Sequence, residues 1–471
     1  MIKKLHQKLI SKEITAKELA ENYLEKIEKQ DKEIKAFISL NEKDLILEQA
    51  RIVDEKINKG EEINLLEGIP FAVKDNILAL GTRTTAGSKM LENYESGFEA
   101  TVVEKLKKQG AILIGKTNLD EFGMGSSTEN SAFFITKNPS DLGRVAGGSS
   151  GGSAAAVKSE MVPFTIGSDT GGSVRQPASF CGIVGFKPSY GTVSRYGLIA
   201  LASSMDTICP LVNSVEDAEI VFKAIQGKDS MDATSQTLCE KDNSKLNIKN
   251  LRIGLPKEYF EKELDKEVKE CIEEAIEKIK SQGIEVKEVN LPMAPYALPC
   301  YHIIMSAEAS ANLARLDGIR YGKDKDLRIE NLQGLYFKNR GKNLGSEVKK
   351  RIIFGIYVLS SDNYDAYYKK ALQIRKLIIE DFDKVFKQVD FLLTPTTPFS
   401  AFKIGEKVNN SLAMSFSDLL TVGANLSGMP AISLPCVVKQ NTLPIGLQLM
   451  GPYLSDYSLL NLAKFIQQII N

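Results

Sequence analysis

A helical stretch, a glycine and a short apolar strand follow one another twice in this sequence of 471 residues. The first unit spans 101–115, with Gly110 between helix and strand, and the second spans 265–289, with Gly283 in the same place. Glycine commonly ends a helix, and helices that alternate with buried strands are typical of sheets layered with helices. The sequence therefore predicts an α/β fold in which helices surround a sheet.

Hydrophobic periodicity and capping signals extend this pattern along the chain. Thr15 and Glu18 have the spacing of a capping box, so a helix is expected to begin there, after a first charged helix that carries His6. Further helices are predicted at 45–58, 212–226, 307–316, 348–386 and 459–470. Further strands are predicted at 69–74, 252–255, 390–395, 431–435 and 445–450, and short strands and turns at 183–188 and 193–202. The polar segment 241–249 is predicted to be an exposed connection.

Composition excludes several classes of protein. The 60 Lys and Arg residues balance the 60 Asp and Glu residues, which argues against broad electrostatic adhesion to nucleic acid or membrane. The six cysteines include no CxxC pair, which argues against a thiolate zinc site and favours a reducing compartment. No apolar run has the length of a membrane span, and the charged N-terminus has no apolar signal region. We therefore expect a cytoplasmic protein.

Serines alternate with glycines in two nearby stretches, 147–153 and 167–177. Glycines at this density allow positive φ angles and a close approach to a ligand, and the hydroxyls between them are candidate nucleophiles. A serine needs a base to take its proton, and the usual base is histidine. The only histidines are His6 and His302, both far from these stretches in sequence. A Ser-His-Asp triad is therefore not expected, and another residue has to be the base.

Lys74 is the candidate base. It ends the short apolar strand that begins at Ile69, and polar residues follow it. A lysine in that position is commonly a solvated strand end. A lysine desolvated among apolar neighbours instead has a lowered pKa and is able to accept a proton.

Two nucleotide-binding motifs are excluded by their context. The segment 110–117 matches the P-loop expression, but a helix precedes it and its loop positions form an apolar strand. A phosphate loop needs the opposite order, with a strand before its first glycine and a helix after its lysine. Gly123 and Gly125 lack the third glycine and the flanking strand of a dinucleotide fingerprint.

Together, the stretches GIPFAVKDN, GGSSGGS and SDTGGSVRQPA resemble the amidase-signature family, and the resemblance covers nearly the whole chain. It implies one large α/β domain whose mixed central sheet is covered by helices on both faces. In that domain 1–60 would be an N-terminal helical part, 69–210 the catalytic core, and 251–471 the rest of the sheet with the substrate pocket.

The same resemblance implies roles for three side chains. Ser173 would attack an amide carbonyl, and Ser149, which follows a cis peptide bond in this family, would relay the proton of Ser173 to Lys74. The oxyanion hole would consist of the backbone amides of Thr170, Gly171, Gly172 and Ser173.

The remaining polar residues of the two stretches have simpler interpretations. Asp169 and Arg175 are expected to hold the loop in place rather than to do chemistry. Ser150, Ser153 and Ser168 are expected to be turn hydroxyls, and Ser150 is also able to support the proton relay by hydrogen bonding.

Outside these stretches, KPSYGTVSRYGLIALASSMD, LRIGLPKEYF, NLARLDGIRYG, YDAYYKKA and LLTPTTP resemble one branch of the family, the A subunits of tRNA-dependent amidotransferases. This branch implies that glutamine is hydrolysed and that a partner uses the ammonia and ATP to amidate glutamate misattached to tRNA(Gln). Asp418 would bind the α-amino group of glutamine and Arg351 its α-carboxylate. Tyr301 would line the pocket, although the usual Tyr-Tyr pair of the family reads Tyr301-His302 here. A second departure, Thr-Ile-Cys-Pro at 207–210 instead of Gln-Ile-Gly-Pro, concerns the packing of a predicted loop.

The branch also implies partners. They would be the B and C subunits of the amidotransferase, with charged tRNA held mainly by the partner subunit. No cofactor or metal is expected in this chain, whereas ATP and Mg²⁺ are expected in the partner's reaction. Two other functions stay open: a stand-alone amidase that acts on small amides, and a non-catalytic scaffold subunit. The intact Lys74, Ser149 and Ser173 weigh against the scaffold.

Overall fold

Helices and strands alternate along the chain in the computed structural model, which describes residues 1–238, 250–261, 264–321, 331–436 and 442–470. The strands are β1 (Phe37–Leu40), β2 (Pro70–Lys74), β3 (Ile112–Thr117), β4 (Lys137–Asn138), β5 (Asp141–Val145), β6 (Phe164–Asp169), β7 (Val184–Lys187), β8 (Thr207–Val212), β9 (Arg252–Pro256), β10 (Glu285–Val289), β11 (Phe391–Pro395), β12 (Ala431–Cys436) and β13 (Ile445–Met450). The helices are α1 (Ile2–Ile10), α2 (Ala16–Ile34), α3 (Lys43–Lys59), α4 (Thr101–Lys108), α5 (Gly151–Lys158), α6 (Arg175–Cys181), α7 (Val215–Ile225), α8 (Lys257–Phe260), α9 (Lys266–Ser281), α10 (Ala297–Asn312), α11 (Leu332–Asn343), α12 (Ser346–Leu359), α13 (Lys370–Val385), α14 (Ser411–Ser415), α15 (Val422–Ser427) and α16 (Asp456–Ile470).

Eleven of these strands form one mixed sheet in the order β1-β3-β2-β6-β8-β7-β12-β13-β11-β9-β10. β2 runs parallel to both of its neighbours, β3 and β6, and β9 runs parallel to β10 and β11. The other neighbouring pairs are antiparallel, and β4 and β5 form a separate hairpin. Helices flank the sheet, and buried apolar side chains between the layers form the main core. The predicted α/β fold with a mixed central sheet is confirmed.

Both helix–glycine–strand units are present. Gly110 separates α4 from β3 with a φ of 80°, and Gly283 separates α9 from β10 with a φ of 81°. These positive angles are left-handed, a conformation that glycine adopts without a steric penalty. The predicted capping box also forms, because Thr15 accepts from the Glu18 amide and Glu18 accepts from the Thr15 amide. The local signals for helix ends were therefore interpreted correctly.

The strands β1, β4, β5, β6 and β8 were not predicted, and the segment 193–202 contains no strand. In β8 the segment 207–210 is part of the strand and not a loop. Proline removes a backbone donor and is rare in central strands, so Pro210 argues against a strand when the sequence alone is considered. Within the sheet Pro210 lies opposite Ile166 of β6. The ladder from β8 to β7 covers only Leu211 and Val212, so no bond to β7 is lost at Pro210. All six residues of β8 are buried.

The predicted helix over 348–386 is wrong in one respect, because it consists of two helices. α12 ends at Leu359, and Ser360 is extended with a ψ of 152°. A π-helical turn (Tyr364–Lys369) then leads into α13. Serine, aspartate and asparagine fill the break, and their side chains compete for backbone hydrogen bonds. α10 also begins ten residues earlier than predicted, and the predicted connection 241–249 lies outside the described residues.

The carboxyl ends of three parallel strands meet at one edge of the sheet. Lys74 at the end of β2 lies opposite Thr117 of β3, and Val73 lies opposite Ile166 of β6. The stretch that follows β6 therefore begins beside Lys74. Within the described ranges, no helix is both long enough and apolar enough to cross a bilayer.

Candidate active site

Lys74 is fully buried at the end of β2. Its Nζ donates to Ser149 Oγ at 2.8 Å, to Ser168 Oγ at 3.0 Å and to the Ser168 carbonyl at 3.3 Å. All five residues of β2 are buried, and the hydrogen-bond acceptors of the Lys74 amine among the described residues are two hydroxyl oxygens and one carbonyl oxygen. The structure thus brings Lys74 and Ser149 into contact.

Burial lowers the pKa of Lys74 to about 7, against the opposing attraction of Asp120, Asp169 and Asp206. An ammonium loses hydration when it is buried, so its charged form is disfavoured. A pKa near 7 leaves a large neutral fraction at physiological pH. Neutral Lys74 is able to accept a proton from the hydroxyl that it contacts.

The stretch 147–153, whose last three residues begin α5, is held by side chains from distant segments. The peptide bond between Gly148 and Ser149 is cis, and Gly147 has a φ of 85°. The Gly148 amide donates to Gln176 Oε1 at 2.9 Å, and Thr128 Oγ1 donates to the Gly147 carbonyl at 2.7 Å. These hydrogen bonds hold the backbone immediately before Ser149 in place.

The stretch 167–177, which runs from the end of β6 through a loop into α6, is organised around a buried ion pair. Arg175 Nη2 donates to Asp169 Oδ1 at 3.0 Å, and both side chains are fully buried. Burial alone would raise the pKa of Asp169, but the Arg175 guanidinium and its hydrogen bonds hold that pKa well below its usual range. Asp169 also accepts from the amides of Gly172 at 2.9 Å and Val174 at 3.1 Å. As predicted, these two charged residues hold the loop.

Arg175 also connects the loop to the last part of the chain. Its Nη1 donates to the Thr421 carbonyl at 3.0 Å and to Gln448 Oε1 at 2.7 Å. Its Nη2 donates to Asn425 Oδ1 at 2.6 Å. Three contacts from one guanidinium fix the loop against α15 and β13.

Ser173 lies on this loop next to the loop that carries Ser149. The Ser150 amide donates to the Ser173 carbonyl at 3.1 Å, and Ser173 is 7% exposed. Among the residues that the structure describes, the amides of Thr170, Gly171 and Ser173 have no hydrogen-bond acceptor.

One amide expected in the oxyanion hole is already satisfied. The Gly172 amide donates to Asp169, so it is not available for an oxyanion in this conformation. Of the four expected donors, the amides of Thr170, Gly171 and Ser173 are the ones without an acceptor among the described residues.

The interpretation of Ser168 as a turn hydroxyl is wrong. Its Oγ accepts from Lys74 Nζ and from Asn76 Nδ2, both at 3.0 Å. Ser150 donates from its Oγ to the Ser168 carbonyl at 3.2 Å. The hydroxyls next to the lysine are thus those of Ser149 and Ser168.

A cavity of about 380 Å³ contains all three residues predicted to bind substrate. These are Tyr301 and Arg351, from α10 and α12, and Asp418 from the short helical turn Phe416–Asp418. The segments 125–130 and 407–415 form much of the remaining wall.

Asp418 is a buried carboxylate with one oxygen unused. Its Oδ2 accepts from Ser126 Oγ at 2.7 Å, whereas its Oδ1 has no partner among the described residues. Burial raises the pKa of Asp418 to about 7, although the Ser126 hydrogen bond and the charge of Arg351 act against this rise. A ligand with a cationic group would supply the missing partner.

Arg351 is the cation on the same cavity wall. Its Nε donates to Glu347 Oε1 at 2.7 Å, and its Nη1 lies 3.5 Å from Met305 Sδ. Glu347 raises the pKa of Arg351 in spite of burial, so the guanidinium is charged. The cavity therefore contains a fixed cation and a buried carboxyl group, as a free amino acid requires.

His302 lines the cavity beside these groups, and sequence reasoning gave it no role. Its Nε2 has no partner in the part of the chain that the structure describes. Burial, followed by the charge of Arg351, lowers the pKa of His302 to about 4. The imidazole is therefore neutral at physiological pH. Within the described ranges, no three His, Cys, Asp or Glu side chains are grouped as metal ligands.

Comparison with known proteins identifies the family of this chain. A family model described as Amidase matches residues 18–460. The chain belongs to the amidase family. This amidase is 51% identical over 470 residues to the A subunit of the glutamyl-tRNA(Gln) amidotransferase of Microcystis aeruginosa, and the alignment covers 99% of this chain and 97% of that protein.

Solved structures show the same fold. The crystal structure of the A subunit of the glutamyl-tRNA(Gln) amidotransferase of Thermotoga maritima has a TM-score of 0.79 and 42% identity, over 96% of this chain and 91% of that chain. The crystal structure of an amidase has a TM-score of 0.85 and 28% identity, over 99% of both chains. The resemblance inferred from the sequence, to the family and to its amidotransferase A subunits, is confirmed.

Ser126 was missed by the sequence analysis of this amidase, as the role of Ser168 was. Ser126 lies 292 positions before the carboxylate to which it donates, in a segment with no clear periodicity. Lys74 and Ser168 are 94 positions apart and meet only because β2 and β6 pair. The family stretch that contains Ser168 indicated that this residue lies near the site. The spacing of residues along the chain, however, does not predict the contact of Ser126 with Asp418 or that of Lys74 with Ser168.

Proposed function

We propose that this chain is the glutamine-hydrolysing subunit of a glutamyl-tRNA(Gln) amidotransferase. The contact between Lys74 Nζ and Ser149 Oγ, at 2.8 Å in a fully buried site, carries this proposal. This contact joins Lys74, whose pKa is lowered, to the hydroxyl of Ser149. The loop that carries Ser149 lies next to the loop that carries Ser173. The similarity to A subunits supports the particular reaction.

The proposed reaction begins at Ser173. Its Oγ attacks the side-chain amide carbonyl of glutamine while its proton passes to Ser149, and Ser149 passes its own proton to neutral Lys74. The tetrahedral intermediate collapses when the proton returns through Ser149 to the leaving nitrogen, which departs as ammonia. Water then hydrolyses the acyl-enzyme by the same relay and releases glutamate.

The negative charge that develops on the carbonyl oxygen needs donors. The amides of Thr170, Gly171 and Ser173 are the candidates, since none of them has an acceptor among the described residues. A single such donor contributes roughly 10²–10³ in rate. Asp169 holds the Gly172 amide, which leaves the amides of Thr170, Gly171 and Ser173 as the candidates in this conformation.

The cavity would select the amino-acid end of glutamine. Arg351 would bind the α-carboxylate, and Asp418 would bind the α-ammonium through its unused Oδ1. Tyr301 would form the wall between these groups and the glycine-rich loop. A simple amide has neither end group and would gain nothing from this pair of charges.

The released ammonia would be used by partner subunits. On this proposal the B and C subunits complete the enzyme, and ATP and Mg²⁺ belong to the partner's amidation of glutamate on tRNA(Gln). The charged tRNA would be bound mainly by the partner. A location in the cytoplasm accords with this role in translation.

The test is ammonia release from glutamine by the purified chain, alone and with B and C subunits, compared with Ser173→Ala. We expect hydrolysis by the native chain in at least one of these states and none by the folded variant. A variant that retains the native rate would exclude Ser173 as the nucleophile. Hydrolysis of a small aryl amide as fast as glutamine, without partners, would instead indicate a stand-alone amidase, and no hydrolysis in any state would indicate a scaffold.

A further inference from the structure

The side chains of Cys271 and Cys436 meet between α9 and the end of β12. Cys436 Sγ donates to the Cys271 carbonyl at 3.4 Å, although the two residues are 165 positions apart in sequence. The two thiols are also close enough for each to shift the pKa of the other. Both cysteines are reduced and lie at the margin of the main core, with exposures of 9% and 7%.

The other described cysteines have different surroundings. The thiols of Cys181, Cys209 and Cys300 donate to the carbonyls of Ala146, Thr207 and Ala371, at 3.4, 3.3 and 3.2 Å. These three side chains are at most 2% exposed. In the part of the chain that the structure describes, only Cys271 and Cys436 combine a thiol partner with some access to solvent.

We propose that Cys271 and Cys436 are a redox-responsive pair, which a hydroperoxide converts into a disulfide between α9 and β12. Reduced thiols are the rule in a reducing compartment, and the disulfides that do form there are transient. The pair would therefore be a reversible modification site rather than a permanent cross-link.

The chemistry assigns a different role to each sulfur. The interaction with Cys436 lowers the pKa of Cys271 against the effect of burial, whereas the interaction with Cys271 and burial both raise the pKa of Cys436. The Cys271 thiolate would attack the peroxide oxygen, giving a sulfenic acid at Cys271 and releasing an alcohol or water. The Cys436 sulfur would then displace the sulfenic hydroxyl as water. Two thiols and one hydroperoxide thus yield one disulfide, one water and one alcohol or second water.

The expected consequence is greater stability without a change in the candidate active site. Neither cysteine lines the cavity that contains Arg351 and Asp418. A cross-link between residues so far apart in sequence restricts the unfolded chain strongly. The thermal midpoint of unfolding should therefore rise on oxidation and fall again on reduction.

The experiment uses the full chain with Cys239→Ser. Cys239 lies outside the described residues, and the substitution removes it as a competing thiol. The protein is treated with hydrogen peroxide, its remaining thiols are alkylated, and the peptides are analysed by mass spectrometry before and after dithiothreitol. We expect one linked peptide that contains Cys271 and Cys436, two fewer alkylated thiols, and a reversible rise of the thermal midpoint. Alkylation of both cysteines after peroxide treatment, or their separate conversion to sulfinic acid, would overturn the proposal.

A second pair of variants separates the roles of the sulfurs. In Cys436→Ser the sulfenic acid at Cys271 has no thiol to attack it, so dimedone should label Cys271 several-fold more than in the parent. Cys181→Ser is the matched control and should form the linked peptide as the parent does. Equal labelling of Cys271 with and without Cys436 would contradict the proposed second step.

Discussion

The ring of Tyr301 lies directly against Gly171. A β-carbon at Gly171 would be 2.6 Å from Tyr301 Cζ and 2.7 Å from its hydroxyl oxygen, which is closer than real side-chain contacts allow. The wall of the cavity and the glycine-rich loop are therefore one packed unit. Whatever moves Tyr301 also moves a backbone amide of the proposed oxyanion hole.

This contact predicts the effect of Gly171→Ala. The added methyl group should displace either the loop or the ring, and a displacement of this size costs on the order of 10² in kcat/KM. Ammonia release from glutamine is the measurement. Gly97→Ala is the control, because nothing lies within 4 Å of a β-carbon there. Equal activity of both variants would show that the packing of Gly171 is irrelevant to catalysis.

The pKa of Lys74 predicts how activity depends on pH. Burial lowers this pKa to about 7, so the neutral base is scarce below that pH and predominates above it. The kcat for glutamine hydrolysis should therefore rise with pH, with a midpoint near 7. Lys74→Arg should be nearly inactive at every pH, since a guanidinium does not lose its proton in proteins. Lys26→Arg, in an exposed ion pair, is the control. Substantial activity of Lys74→Arg would show that the position supplies charge and not proton transfer.

The unused oxygen of Asp418 predicts a separate effect on KM. The pKa of Asp418 is raised to about 7, so without a ligand its carboxyl group is largely protonated below that pH. In that form it binds the α-ammonium of glutamine poorly. The KM for glutamine should fall as the pH rises through 7, and Asp418→Asn should raise KM and abolish this dependence. Arg351→Met should also raise the KM for glutamine, and neither change should affect a simple neutral amide as strongly. If both substrates lose activity by the same factor, these residues support the fold and do not select the substrate.

The ion pair of Arg175 predicts a large loss of stability. Arg175→Met leaves the buried Asp169 carboxylate uncompensated, which costs about 3–5 kcal/mol of unfolding free energy. Arg51→Met is the control, because Arg51 makes only exposed pairs with Glu48 and Glu55 on α3. The measurement is the urea midpoint of unfolding, which should fall sharply for the first variant and barely for the second. A small shift for Arg175→Met would mean that water or another cation compensates Asp169.

Most strands could be predicted because short apolar runs between glycines and polar turns are local signals. β8 could not, since Pro210 opposes the local preference and only the packing between β6 and β7 makes it a strand. The prediction of a single helix over 348–386 is wrong for a related reason, because it relied on a local pattern. Its apolar periodicity continues on both sides of Ser360, where a few polar side chains end α12.

The residues of the candidate site could be chosen from the sequence, but their arrangement could not. The apolar strand before Lys74 indicated burial, and its full burial agrees. The contacts of Lys74 with Ser149 and Ser168 depend on the parallel pairing of β2 with β6, which spacing along the chain does not encode. The hydrogen-bond donor to Asp418, Ser126, is 292 positions away in the sequence. Long-range packing therefore determines which hydroxyl faces which charge.

The contacts of Arg175 have a consequence for synthesis of the chain on the ribosome. The loop that carries Ser173 is complete only when Thr421, Asn425 and Gln448 are in place around the guanidinium. A nascent or truncated polypeptide that stops before these residues would contain every proposed catalytic side chain and still lack the framework that positions them. Such a polypeptide is expected to hydrolyse no amide, because the segment 421–448 is needed to hold the loop around Arg175.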